Sequence, residues 1–427
     1  MNVLLRATSA LLATAWSLCA GAADAPAAPT PTPAPAPAPS ASAPALATSA
    51  PAFAASAPAR CAAPGTDRAA NQACAVALAR HAEAERVAGR NDAALAAFSR
   101  ADEFTPEDLR FLMARASMSL KLANQMTPAG LDTAARAAPD DLGLAMLHAE
   151  LSLAKKDYAT SLADIDRVLA KRPQAGMAWE MRATVDAARP DFAAARADVS
   201  RALQLDPKSA TSLRLRGIVR NNAGDYAGAL ADYQAAHAIV PRPDDPFVIG
   251  STQFLQHRFA DSAATLARRA PPAPEGTYWT VWRYLALARL TGVERASGAL
   301  GPGAAPGQAV AWPVPVIDYL HGTLDSKALL DFAQKSQEAH DLSQVCEAHF
   351  YMAEDALLRQ RGDAIALFRQ AAAECPQNFH EYEGAVAELR AAGVPLQAPG
   401  PAVAAGPTVT AAPAPQTPPA SAPAPAP

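Results

Sequence analysis

The stretch AGDYAGALADYQAAHAIVPRP, Ala223 to Pro243, places small side chains at Ala229 and Ala236, aromatics at Tyr226 and Tyr233, and a proline at Pro241. This spacing suits a helix that approaches a neighbour closely at its alanines and stops where proline removes a backbone donor. Recurrence decides whether it is an isolated helix or one copy of a building unit. Proline returns at Pro106, Pro139, Pro173, Pro207, Pro241 and Pro274, at intervals of 33, 34, 34, 34 and 33 residues.

Other features keep the same beat. Twelve residues before each proline stands a small group: Ala94, Thr127, Ser161, Ala195, Ala229, Ser262. Eight before each is a bulky one: Phe98, Leu131, Ile165, Val199, Tyr233, Leu266. Five before, four of the six are alanine: Ala101, Ala134, Ala202 and Ala236. The turn into the second helix reads Asp157-Tyr158, Asp191-Phe192 and Asp225-Tyr226, with Phe259 at the corresponding place, and another small position recurs at Ala82, Ala149, Ala183, Gly217 and Gly250. Two antiparallel helices cross closely only where side chains are small, so these positions predict helical hairpins. The bulky residue is expected to fill the gap toward the next hairpin. One hairpin exposes its apolar face, so stacking completes the core.

This 34-residue pattern resembles the tetratricopeptide repeat (TPR). The resemblance implies an all-α, right-handed α-solenoid of hairpins. The second unit, about residues 107–140, carries TPAG at Thr127 to Gly130, so its second helix is expected to be short. After Pro274 the period breaks. TYWTVWRYLALARL reads as a first helix, GALGPGAAPGQA as a loop, and helices follow around Val316 to Leu320 and from Ser326, capped by Asp325 or Ser326. A final hairpin spans Leu342 to Cys375, and a last helix, about Phe379 to Ala392, is expected to cap the exposed end. The C-terminal third also resembles the new lipoprotein I (NlpI) type of TPR family. The matching residues are Tyr319 to Gly322, Phe350-Tyr351, Ala364 to Phe368 and Asn378-Phe379. That resemblance implies an envelope adaptor that holds peptidoglycan hydrolases and a protease together. The chain departs from the family in its poor lipidation signal and its two Ala/Pro tails.

The rest of the chain is organised around this array. Residues 1–22 have the order of a secretory signal peptide: one positive side chain in MNVLLR, an apolar run from Ala7 to Leu18, then small residues at Ala20, Gly21 and Ala22. The run is too short for a stable transmembrane segment. Lipidation of Cys19 is a minor alternative, because Leu18 stands where a small residue is favoured. The expected location is therefore the periplasm, with an outer-membrane lipoprotein as the lesser reading. Residues 23–60 and 394–427 are nearly all Ala, Pro, Ser, Thr and Gly, too poor in apolar bulk to fold and expected to be disordered. Between them the reading divides the chain into 61–276 (about six repeats), 277–341 (irregular helical insertion) and 342–393 (final hairpin and capping helix).

Lys and Arg number 37 against 41 Asp and Glu, a net charge of −4 without blocks. No basic face suggests nucleic acid. Four cysteines remain after the signal, and an oxidising compartment permits two disulfides. Cys346 and Cys375 are symmetric about RQRGD at Arg359 to Asp363, hence level on neighbouring helices of a hairpin. Helix axes lie about 8–10 Å apart and bonding needs Cα atoms within about 7 Å, so both must point inward. Cys61 with Cys74 would clip the tail to the first helix. Free thiols are the alternative for both pairs.

No phosphate loop, His-Glu-x-x-His motif or nucleophile elbow is present, so no catalytic, cofactor or metal site is expected and no cofactor is implied. His340, His349 and His380 read as packing or surface residues, and Asp140-Asp141 and Asp244-Asp245 as helix starts. Framework spacing aims Met146, Glu150, Met177, Glu180, Arg214, Ile218, Asn221 and Asn222 toward the concave face, a mixture suited to an extended peptide or a partner's helix. Arg214, Arg216 and Arg220 form a basic spot that a carboxylate-rich partner would use. The expected partners are proteins or peptides, with a homodimer open as an assembly. Two other readings stand beside the adaptor: a wall-associated structural protein, and an enzyme with a site in 298–336.

Overall fold

The computed structural model describes residues 61–267, 275–303, 311–335 and 343–395. The signal segment, the first tail, residues 396–427 of the second, Pro274, the second half of the GALGPGAAPGQA loop and His340 lie outside the described residues. Among those described, regular structure is helical throughout, in nineteen α-helices and one 3₁₀ turn. Six hairpins follow one another: α1 (Arg68–Val87) with α2 (Asn91–Phe104), α3 (Arg110–Leu122) with α4 (Pro128–Ala137), and α5 (Leu142–Ala154) with α6 (Tyr158–Lys171). Next come α7 (Gly176–Ala188) with α8 (Phe192–Leu205), α9 (Ala210–Ala223) with α10 (Tyr226–Ile239), and α11 (Asp245–Leu255) with α12 (Phe259–Leu266). Each hairpin packs on its neighbours in chain order, the arrangement of an all-α solenoid.

The recurring residues have visible jobs. Asp157, Asp191 and Asp225 are the N-caps of α6, α8 and α10, each accepting from the backbone N–H three residues on, at 3.1, 3.2 and 2.9 Å. Such a cap satisfies a donor that the helix itself leaves orphaned, worth about 1 kcal/mol. Helix crossings occur at the small positions, where two serine hydroxyls bond across: Ser161 Oγ donates to the Ala149 carbonyl and Ser262 Oγ to the Gly250 carbonyl, both at 2.8 Å. The bulky residue does something beyond what its spacing suggests. Tyr233 and Leu266 lie back against the first helix of their own hairpin, over Gly217 and Gly250, where an added Cβ would sit 2.5 and 2.6 Å from the side chain. Tyr233 also touches Val248 of the next unit, so it joins the two interfaces. The TPAG helix α4 has ten residues where α6, α8 and α10 have fourteen, because Pro128 sits at its first turn and Thr127 caps it through the Gly130 N–H at 3.0 Å.

Beyond the six hairpins, α13 (Glu275–Thr291) is followed by the four-residue α14 (Val293–Ala296), then α15 (Val314–His321) and α16 (Ser326–Lys335). Asp325 is the residue that caps α16, accepting from the Ala328 N–H at 2.7 Å. A last hairpin, α17 (Ser343–Leu358) with α18 (Ala364–Glu374), leads into α19 (His380–Ala391). The cysteines fall in pairs at bonding distance: Cys61–Cys74 with Sγ atoms 2.06 Å apart, and Cys346–Cys375 with 2.25 Å. The second pair ties α17 to the end of α18 with Cα atoms 5.0 Å apart, as the symmetric spacing about the RQRGD turn implied.

The helix α19 does more than follow α18. It follows α18 as a capping helix would, but it also reaches back across the first helices of earlier units. Glu388 pairs with Arg289 of α13 at 2.8 Å and with His257, just after α11, at 3.5 Å. Arg390 donates to the Tyr226 hydroxyl at the start of α10, at 3.0 Å and 164 residues away in sequence. Gly384 permits the approach, since a Cβ there would meet Phe350 at 2.5 Å.

Candidate functional site

The inner face of the array divides into an open part and a filled part. The open part is a groove of about 1160 Å³. The start of α1 contributes Arg68 and Gln72, and the turn before α3 contributes Glu107, Asp108 and Arg110. Its floor comes from α7, with Gly176, Met177 and Glu180, and from the link between α8 and α9, Gln204 to Ser212. Arg242 closes it on the far side. Most of its ion pairs are internal: Arg110 is held by Asp108, which with hydrogen bonding keeps the guanidinium more firmly protonated than usual, and Arg68 lies 3.9 Å from Glu107. Among these cations Arg242 differs. Among the described residues its side chain has no hydrogen-bonding or ion-pair partner, and burial, then repulsion by Arg214, pulls its proton affinity below the ordinary arginine value.

A second space adjoins the groove. A cavity of about 40 Å³ is lined by Thr184, Thr211, Arg214, Ile218, Tyr233, Arg242 and Asp244 among others, and it shares Thr211 and Arg242 with the groove wall. Arg214 is buried and forked onto Asp245, Nε to Oδ1 and Nη2 to Oδ2, both at 2.8 Å, while its Nη1 has no partner.

The eight residues aimed inward by framework spacing fall in different places. Met177 and Glu180 line the groove. Glu180 accepts from the hydroxyls of Ser209 at 2.8 Å and Ser212 at 2.6 Å, and burial outweighs those bonds to raise its pKa. Arg214 and Ile218 line the small cavity. Met146 is fully enclosed in the core with Leu112, Ile165 and Met181, so the stacking of α5 on its neighbours removes it from any free surface. Glu150 is likewise buried, its Oε2 unpartnered, and burial pushes its pKa up to about 8. Asn221 is buried and donates to Thr252 Oγ1 at 3.2 Å, and Asn222 turns back to the Ile218 carbonyl at 3.2 Å. The basic spot is also not a free one. Arg216 forks onto Asp232 at 2.8 and 2.6 Å, and Arg220 bonds the same carboxylate at 2.7 Å. Separations of sixteen and twelve residues place that shared partner on the second helix of the hairpin, beyond what a single-helix reading counts. The groove residues missed by framework spacing, Arg242, Thr211 and Gln174 among them, come from or beside the links between hairpins. The signal for them was Arg242 itself, a cation immediately after a repeat proline with no acid three or four residues before it.

In the filled part the inner face is aromatic. Phe247 stacks on Trp279 at 5.9 Å, Trp282 stacks on Phe350 at 5.5 Å and meets Phe254 edge-on at 5.3 Å. The ring of His380 from α19 packs against Phe247 and Trp282. Charges here are buried but paired: Arg289 bonds Glu354 Oε2 at 2.9 Å and Glu388 Oε1 at 2.8 Å, and the Tyr351 hydroxyl donates to Glu381 Oε1 at 2.7 Å. The described part of the irregular region has its polar groups turned to the same purpose. Trp312 Nε1 and the Tyr278 hydroxyl both donate to Glu347 Oε2, at 2.6 and 2.8 Å, anchoring the loop to α17. Among the described residues no cluster of three or more His, Cys, Asp or Glu side chains is placed to hold a metal ion, and no helix is long and apolar enough to cross a membrane.

No family model matches the chain, and no curated protein does. Solved structures similar to it are TPR proteins. One from Parabacteroides merdae is 16% identical over 57% of this chain and 95% of its own, with a TM-score of 0.35. A thermophilic TPR protein from Thermus thermophilus is 23% identical over 49% of this chain and 97% of its own, with a TM-score of 0.21. The repeat assignment rests on this chain's own period, caps and crossings.

Proposed function

We propose that the chain is a non-catalytic adaptor of the bacterial periplasm that holds an extended segment of another envelope protein in the open groove. The observation that carries this reading is the groove itself. Its walls come from the first two hairpins and, beyond the third, from the fourth to the sixth, Met177 lines it beside the polar side chains of Gln72 and Thr211, and its volume suits several residues of polypeptide. The paired cysteines at both ends of the array and the signal-like first 22 residues support an exported, oxidised setting. The resemblance of Tyr319 to Gly322, Phe350-Tyr351 and Asn378-Phe379 to NlpI-type proteins favours cell-wall hydrolases or a protease as the partners.

Photo-crosslinking in cells tests this. A crosslinker at Met177 is expected to capture defined envelope proteins, and one at the exposed Val87, at the opposite end of α1 from the groove residues Arg68 and Gln72, is not. Purified full chain is then incubated with peptidoglycan, alone and with the captured protein. Hydrolysis by the pure chain would defeat the adaptor reading in favour of an enzyme. Equal capture from both positions would defeat the groove.

A further inference from the structure

We propose that the seam between α17 and α19 is a proton-operated catch: while its carboxylates hold protons α19 covers the aromatic inner face, and when they ionise that face is released. Such a catch works whether or not a partner occupies the open groove. Glu347 and Glu354 stand seven residues apart on α17, and Glu381 and Glu388 seven apart on α19, about two helical turns in each case, so each helix carries its acids along one face. All four are buried. They oppose one another in two pairs, Glu381 repelling Glu347 and Glu388 repelling Glu354. Among the described residues one guanidinium bonds into the seam, that of Arg289 on α13, at 2.9 Å from Glu354 Oε2 and 2.8 Å from Glu388 Oε1. The Glu347–Glu381 pair has no such cation, and Glu354 Oε1 and Glu381 Oε2 are buried without a partner. Buried carboxylates set against each other are costly when ionised and cheap when protonated. Burial, then repulsion by Glu381, pushes the Glu347 pKa up to about 7; burial, against the pull of Arg289, pushes that of Glu354 up to about 8.

The other groups that face the seam do not supply the missing charge. From α13 and the loop before α15, the Tyr278 hydroxyl and Trp312 Nε1 donate to Glu347, and from α17 the Tyr351 hydroxyl donates to Glu381. Burial pushes both tyrosines above their ordinary value, so they stay neutral donors. His257, half exposed after α11, stands 3.5 Å from Glu388. On α19 itself His380 Nδ1 faces Glu383 at 3.2 Å, and on α17 His349 bonds Glu374 of α18 at 2.7 Å. Arg390 and Tyr226 bond each other at the far end of α19. The sign follows from the raised carboxyls: their contribution to the covered state is complete below about pH 4.5 and is lost as pH rises through about 7 and 8. A hinge is also present. Cys375, at the end of α18, is tied to Cys346, and residues 376–379 lead from it to α19, so α19 can lift without carrying α18 along. What it uncovers is the face of Phe247, Trp282 and Phe350.

Amide hydrogen exchange of the full chain at pH 5, 6, 7 and 8 tests the catch, each rate divided by that of an unstructured peptide at the same pH. Protection of α19 is expected to fall about a hundredfold or more from pH 5 to 8, since each raised carboxyl contributes up to about tenfold per pH unit, while α1 and α2 change little. Binding of a fluorescent apolar dye should rise over the same interval as the rings come free. The double variant Glu347→Gln, Glu354→Gln keeps the acceptors for Tyr278, Trp312 and Arg289 but cannot ionise, so α19 should stay protected at pH 8. Glu381→Gln, on the other side of the seam, should move the loss of protection to higher pH and serves the same purpose if the double variant does not fold. His257→Gln should leave the response in place. Protection of α19 in the wild type that is constant from pH 5 to 8, or that falls in step with α1 and α2, overturns the catch. A response that survives the double variant, or that vanishes with His257→Gln, assigns it to other groups and overturns the catch as well.

Discussion

Two stretches of one inner face are finished in opposite ways. Around α7 and α9 it is polar, lined by Glu180, Thr211, Ser212 and Arg242, and open. Around α11, α13 and α17 it is aromatic, lined by Phe247, Trp282 and Phe350, and covered by the chain's own α19. The hairpin scaffold is common to both, so side-chain chemistry makes the difference. Exposed indole and phenyl rings would form an apolar patch of the kind monomers seldom leave open. A polar groove carries no such penalty and can stay free for a partner. One buried carboxylate in each part can be compared: burial raises the pKa of both Glu354 and Glu150 to about 8, but Glu354 Oε2 bonds Arg289 whereas Glu150 Oε2 has no partner.

The sharpest way to break the comparison is to hollow out the filled part. Trp282 is completely buried between Phe254, Phe350 and His380. Trp282→Ala should lower stability by about 3–5 kcal/mol, as for other large aromatic truncations. Hydrogen exchange should rise in α19 well before it rises in α5 to α8. Uniform exchange across the chain would show that the two parts unfold as one and that the division has no energetic meaning.

Next in size are the covalent clips, one at each end. Opening the 29-residue separation of Cys346–Cys375 by serine replacement should cost about 3 kcal/mol and loosen α17 against α18; opening the 13-residue separation of Cys61–Cys74 should cost slightly less and loosen α1, which lines the groove. Melting temperatures of the two double-serine variants, with and without reductant, check both. A reductant-sensitive melt in a variant lacking both pairs would show another cause.

The repeat was readable because each unit reports its own structure locally: Asp191 caps three residues on, Ser262 bonds back across one crossing, and proline ends each second helix. The open groove was readable only in part. Met177 and Glu180 line the groove, but Met146, which is 34 residues before Glu180 and so at its framework position, is enclosed in the core, and Glu150 is covered as well where α5 packs on its neighbours. Period alone does not distinguish them, because burial of an inner-face residue depends on the next unit's side chains and on the chain's curvature. The reach of α19 was hidden for a related reason. Arg390 and Tyr226 are 164 residues apart, and no local pattern couples them.

Glu150 allows a test of the charge half of the comparison. Burial raises its pKa from 4.5 to about 8, so the folded chain binds its proton more tightly than the unfolded chain does. The associated stability is complete below about pH 4.5 and is lost as pH rises toward 8, where folding must leave a bare carboxylate buried. Glu150→Gln removes the titration. Its stability should exceed wild type by on the order of 2 kcal/mol at pH 9 and match it near pH 5, with the curves diverging in between. Parallel curves from denaturant titrations at those pH values would mean that Glu150 finds a partner or water when ionised, and that the two parts treat charge alike.

The smallest expected effect is the most specific to the junction of the two parts. Arg390 is exposed, donates to the Tyr226 hydroxyl at 3.0 Å and lies beside Gly224, just ahead of α10. Tyr226→Phe keeps the ring and removes only the oxygen, so global stability should change by less than about 1 kcal/mol. Locally the consequence is larger in proportion. The last turn of α19 has no other anchor on α10, and amide exchange from Leu389 to Ala391 should accelerate severalfold while Glu381 to Gly384, held by Tyr351 and the aromatic rings, stays protected. Faster exchange along the whole helix would instead make that one hydroxyl the latch that keeps α19 on the inner face, and would place the boundary between open and filled parts under the control of a single hydrogen bond.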